Sequence, residues 1–282
     1  MSLFSLLRDA LAAERPVALV TVLSAPDGAA VRPGAKLLVE EREGAHGALG
    51  DDALDAAVAA DARGLLAQGQ TAQRTYGPAG ERRGEGVTVF VESFRPPPRM
   101  LVFGAIDYAA ATTSIGAFLG YRVTVCDARP VFATSQRFPD AHEVVVEWPH
   151  RYLERTDVDH RTVICVLTHD PKFDVPVLEI ALRSPAAYIG AMGSRRTHAD
   201  RLERLRERGL SDDEIARLRS PIGLDLGGRT PEETAVAIAA EIIAERWQGS
   251  GRPLTELKGA IHRHPPGSAP PQPDTPPSRV PS

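Results

Sequence analysis

The chain has 282 residues, of which 43% are hydrophobic and 25% charged, with a formal net charge of −4 at pH 7. This is the composition of a globular protein long enough for two domains, each with its own core. The mild acidity gives no electrostatic case for nucleic acid or an anionic membrane, and no apolar run approaches the ~20 residues of a membrane helix.

In chain order, the first 16 residues place Leu3, Leu6, Leu7 and Leu11 on one face of an amphipathic helix. Arg8 and Asp9 interrupt the apolar core that a signal peptide needs, so the expected location is the cytoplasm. Strands are expected over 17–23, 35–40 and 87–92. A helix is expected over 51–68, with an apolar stripe of Leu54, Val58, Leu65 and Leu66. The run Arg95-Pro96-Pro97-Pro98-Arg99 fits neither a helix nor a central strand and marks a boundary, giving a small α+β domain over 1–94.

Beyond it, strands over 100–103, 122–126, 143–146, 162–167 and 188–189 alternate with helices over 107–119, 171–183, 197–208, 211–219 and 231–247. Strands that read as unbroken Val, Ile and Leu runs are buried on both faces. The expectation for 99–248 is therefore an α/β domain, a Rossmann-like parallel sheet with helices on each side. The stretch 265–282 has eight prolines and almost no apolar side chains, and is expected to be disordered.

In an open parallel sheet, ligands bind beyond the carboxyl ends of the strands. Gly104-Ala105 follows the first of these strands, and Asp127 stands 23 residues after Gly104, near the ~20 of a ribose-binding carboxylate. The fingerprint is incomplete: Ile106, followed by Asp107 and Tyr108, stands where a second glycine lets backbone approach a pyrophosphate. Asp127 is the right type for a ribose diol, and Arg129 for a phosphate; both also fit a plain charged strand end. Thr168-His169-Asp170 ends the fourth strand, with His169 a candidate acid–base group and Asp170 equally suited to cap a helix before Pro171. Gly190, Gly193, Ser194, Arg195 and Arg196 supply flexible backbone, a hydroxyl, two guanidinium groups and a helix start, the parts of an anion site. Cys126 and Cys165 lie in apolar strands without metal-ligand spacing, so no metal site is expected.

Several strings together resemble the XdhC/CoxI family: VTVCDARPVFAT, the RFP at 137–139, VLTHDPKFDVPVL, YIGAMGSRRTHADRLERLRERGL and PIGLDLGGRTPEETAVAIAAEI, with a fainter match at VALVTVLSAPDGAAVRPGAKLLV. The resemblance implies a maturation factor, a cofactor chaperone more than a catalyst, for molybdenum hydroxylases such as xanthine dehydrogenase. It implies binding of the molybdenum cofactor (molybdopterin), assistance in its sulfuration or insertion, and partnership with the apo-enzyme and the sulfuration machinery, as a homodimer. Where the family has a glycine-glycine-cysteine element, Asp51, Asp52 and Ala53 stand, which removes any thiol there. Two alternatives remain: an NAD(P)-dependent oxidoreductase using His169, against which Ile106 argues, and a scaffold that has lost its ligand.

Overall fold

The structure is a computed structural model that describes residues 2–42, 44–77, 86–168 and 170–258. His169 and the proline-rich 265–282 lie outside the described residues. The chain divides into two compact units, Met1–Pro97 and Pro98–Ser282.

The first unit comprises α1 (Leu3–Ala12), β1 (Val17–Ser24), β2 (Lys36–Glu40), β3 (Ala45–Ala48), α2 (Asp52–Gln68), β4 (Ala72–Tyr76) and β5 (Val87–Phe94). Its antiparallel sheet runs β3-β2-β1-β5-β4. Alternation along β1 decides which helix covers which face. Ala18, Val20 and Val22 pack with Leu54, Val58, Leu65 and Leu66 of α2, whereas Val17 and Leu19 pack with Leu3, Leu6 and Leu7 of α1. Asp51 caps α2, its side chain accepting from the Leu54 N–H at 2.9 Å. Ala53 thus sits in the first turn of a well-capped helix. β3 and β4 were not expected: they are short, and neither AHGA nor AQRTY alternates apolar with polar residues.

The second unit comprises β6 (Arg99–Phe103), α3 (Asp107–Phe118), β7 (Arg122–Cys126), β8 (Glu143–Val145), α4 (Pro149–Arg155), β9 (Val163–Val166), α5 (Pro171–Arg183), β10 (Tyr188–Ala191), α6 (Arg195–Glu207), α7 (Asp212–Ile215), β11 (Leu218–Arg219) and α8 (Pro231–Trp247). A 3₁₀ turn at Leu254–Glu256 follows. All neighbouring strands are parallel, in the order β11-β10-β9-β6-β7-β8. Numbered within the sheet from β6, this is the 3-2-1-4-5-6 order of a Rossmann fold. Leu101 and Phe103 face the helices α4, α5 and α6, and Met100 and Val102 face α3 and α8, so both sides of the sheet are covered.

Two helix expectations need correction. The helix expected over 197–208 begins at Arg195, because Ser194 caps it. The helix expected over 211–219 stops at Ile215, because Leu218 and Arg219 pair in parallel with Ile189 and Gly190 as β11. α4 was missed: seven residues are too few for an apolar stripe to repeat.

Candidate functional site

The topological switch point of the sheet lies between β6 and β9, where crossovers leave in opposite directions. Gly104 turns the chain out of β6 at φ +112°, and a Cβ there would stand 2.9 Å from the Leu167 carbonyl oxygen and 3.1 Å from Thr168 Cγ2. Only glycine permits this conformation and this approach. The next residue, Ala105, is buried, and Ile106 begins α3 without any side-chain cap. Asp107, in the first turn, reaches Arg137 at 3.3 Å.

Asp127 leaves the end of β7 only 4% exposed. Its Oδ2 accepts the Ala105 N–H at 2.9 Å and Arg129 Nη2 at 2.8 Å, and its Oδ1 accepts the Arg129 backbone N–H and Nε, both at 2.9 Å. Burial alone pushes this carboxyl up, but the hydrogen bonds and charge of Arg129, joined by the Ala105 N–H, outweigh it and hold the group below its ordinary range. Arg129 also feels Asp170 and lies over the Phe132 ring, 4.6 Å from its centroid. The structure therefore joins Ala105, Asp127 and Arg129 directly.

Asp170 caps α5, accepting the Lys172 N–H at 2.9 Å, and Ser194 caps α6, accepting the Thr197 N–H at 3.1 Å. Gly190 lies inside β10, where a Cβ would stand 2.5 Å from Ile222 Cδ1; its part is packing. Gly193 opens the turn into α6 at φ +152°. Arg195 and Arg196 are exposed, and their guanidinium groups have no hydrogen bond or ion pair among the described residues.

A buried network unexpected from sequence lies among Thr168, Asp174, Arg201, Met192 and Ser220. Thr168 Oγ1 donates to Asp174 Oδ1, and Arg201 Nη2 donates to Asp174 Oδ2 at 2.8 Å and to the Met192 carbonyl at 2.8 Å. Arg201 Nη1 donates to Ser220 Oγ at 2.9 Å. Both charged side chains are 3% exposed. One ion pair thus ties the ends of β9, β10 and β11 from below. The signal in the sequence was Arg201, which sits in line with buried Leu205, one turn on, in an otherwise charged helix. Three strand-to-strand steps of about 4.8 Å separate the ends of β7 and β10, so a ligand touching both spans about 14 Å.

Comparison with known proteins bears on this edge. Residues 100–242 match the XdhC Rossmann domain, and residues 10–77 match the XdhC and CoxI family. The chain belongs to the XdhC/CoxI family. It is 31% identical over 169 residues to the molybdenum cofactor insertion chaperone PaoD of Escherichia coli, covering 60% of this chain and 46% of that protein. It is 31% identical over 158 residues to a probable xanthine dehydrogenase subunit of Bacillus subtilis, covering 56% of this chain and 46% of that protein. The chain thus spans about half the length of these relatives. A crystal structure titled as a xanthine dehydrogenase from Bacillus halodurans shares the fold, with a TM-score of 0.50 at 19% identity over 87% of this chain and 96% of that one.

Cys126 and Cys165 are both buried, and burial, with nearby carboxylates, pushes each up to about 12. Among the described residues no group of His, Cys, Asp and Glu is arranged to hold a metal ion, and no helix is long and apolar enough to cross a membrane.

Proposed function

We propose that this protein is a maturation factor for a xanthine dehydrogenase-type enzyme, and that the carboxyl edge of its Rossmann unit holds the molybdenum cofactor, or a related nucleotide, as cargo. Membership of a family that includes a molybdenum cofactor insertion chaperone carries the reading. The donor set at the edge supports it. Arg195 and Arg196 stand at a helix start with guanidinium groups ready for phosphate, and α3 presents first-turn amides that no side chain caps. Gly104, Ala105 and Thr168 would line the switch point between them. The cargo's phosphate would be held by hydrogen bonds and charge.

The residues fit insertion better than sulfur chemistry. A sulfur relay needs an accessible thiolate, and both thiols here are buried and held protonated, while Ala53 stands at the family's cysteine position. Sulfuration is thus left to a partner, and this chain's role is holding and delivery.

A second reading, a scaffold without ligand, draws on Asp127, whose carboxylate is already engaged by Ala105 and Arg129. One experiment separates the two. The protein is purified from cells that make the cofactor, its retained small molecules are identified by mass spectrometry, and it is mixed with the apo-hydroxylase. Release of a pterin and gain of hydroxylase activity support the chaperone. Stable association with the apo-enzyme, no retained pterin and no gain in activity would establish the scaffold.

A further inference from the structure

A continuous stack of rings and guanidinium groups runs along the same edge, and neither the family match nor the dinucleotide fingerprint assigns it. Trp148, the residue before α4, stacks on Phe173 of α5 with centroids 5.0 Å apart and an interplanar angle of 28°. Arg129 Cζ stands 5.9 Å from the Phe173 centroid and 4.6 Å from that of Phe132. Arg137 Cζ stands 5.5 Å from the Phe132 centroid, and its guanidinium reaches Asp107 in the first turn of α3. Two contacts fasten the Trp148 end to β7: the Asp127 N–H donates to the Val145 carbonyl at 3.2 Å, and Cys126 Sγ donates to the Glu147 carbonyl at 3.4 Å. Bidentate pairing with Asp127 fixes Arg129, so the stack is held rigidly from within. Trp148 nevertheless remains 42% exposed, with the His150 ring tilted 56° beside it at a centroid distance of 6.0 Å.

We propose that Trp148 is the stacking surface for a flat nitrogen heterocycle carried on a phosphate, a pterin or a nucleobase, and that the ligand is recognised by this ring rather than by ribose hydroxyls. The inference rests on the reading of this edge as a ligand site. A rigid indole beside a strand end offers a π-face that accepts any such ring, at little ordering cost. The ribose half follows from Asp127. In a Rossmann fold the carboxylate at this position ordinarily receives the ribose hydroxyl. Here each of its oxygens already accepts two hydrogen bonds, and a sugar would have to break buried bonds to enter.

The test is titration calorimetry of the full chain with four probes: neopterin monophosphate, CMP, dCMP and ribose 5-phosphate. Trp148→Ala should weaken the ring-bearing probe that binds by about tenfold to a hundredfold, the usual effect of losing one stacking partner. Trp148→Phe should restore most of that loss, which a merely structural role would not require. CMP and dCMP should bind within about twofold of each other, and ribose 5-phosphate should be insensitive to either substitution. Whether neopterin monophosphate or CMP binds tighter identifies the source of the ring. Unchanged affinity in Trp148→Ala would overturn the stacking site and leave the proposed function standing. A strong preference for CMP over dCMP would overturn the ribose half. Absence of binding by every probe to the unsubstituted chain would overturn the inference together with the ligand site on which it rests.

Discussion

Asp127 accepts four hydrogen bonds, one from the first βα turn and three from Arg129, and all four require it to be ionised and in place. Its position at a strand end was legible from sequence spacing. Its partners were not, because spacing says where a carboxylate stands and nothing of which donors reach it. The pH dependence follows with a definite sign. A carboxyl held below its unfolded value of ~3.9 contributes stability above that value, and the contribution is lost as pH falls through the lower folded one. Arg129→Met should lower stability at pH 7 by about 1–3 kcal/mol, by leaving a buried carboxylate short of donors. It should also flatten the loss of stability below pH 4, read from urea midpoints between pH 3 and pH 7. Identical acid profiles for the two proteins would show that the pair is not what depresses Asp127. The thiols give a second residue-scale expectation. With Cys126 and Cys165 buried and pushed up to about 12, neither should react with a disulfide reagent at pH 8 until the protein unfolds. Stoichiometric labelling of the native protein within minutes would contradict this, and would reopen sulfur transfer by this chain.

Among the elements, the ones read correctly were those whose sequence carries its own boundary signals. Asp51 before α2 and Thr230 before α8 both cap with their side chains, and β6, β7 and β9 read as unbroken apolar runs. The elements missed owe their existence to pairing. β11 is two residues long and is a strand only because β10 lies beside it, and β3 is a mostly exposed edge with a glycine in it. The Asp174–Arg201 pair belongs to this scale, since its halves come from α5 and α6. Arg201→Met should cost about 3–5 kcal/mol by taking the counter-charge from the buried Asp174 carboxylate, and adding Asp174→Leu should recover much of it. Denaturant melts of the single and double variants measure both; a double variant no more stable than the single would show that Asp174 is not the source of the cost. Gly190 makes a packing prediction of the same kind. Its missing side chain admits Ile222 and Tyr188, so Gly190→Ala should destabilise by about 1–3 kcal/mol, and Ile222→Ala in the same chain should relieve the closest part of the clash, leaving Tyr188 Cε1 at 2.8 Å.

At the scale of the whole molecule, the Rossmann unit follows from its sequence because strand, helix and turn signals agree along its length, as they do in sequences with one dominant native state. The site is harder to read for the opposite reason. Its fingerprint is broken at Ile106, its ribose carboxylate is occupied from within, and the aromatic stack of Trp148, Phe173 and Phe132 comes from three segments that only the folded sheet brings together. On the reading proposed above, recognition moves from the glycine turn toward arginines and rings along the edge. The measurement that tests this most directly is calorimetric titration of the full chain with isolated molybdenum cofactor, beside the Arg195→Ala/Arg196→Ala variant. The account predicts one site per chain in the unsubstituted protein, and an affinity lower by about tenfold or more once two charge-assisted phosphate contacts are removed. No heat of binding, or the same affinity in both proteins, would contradict it.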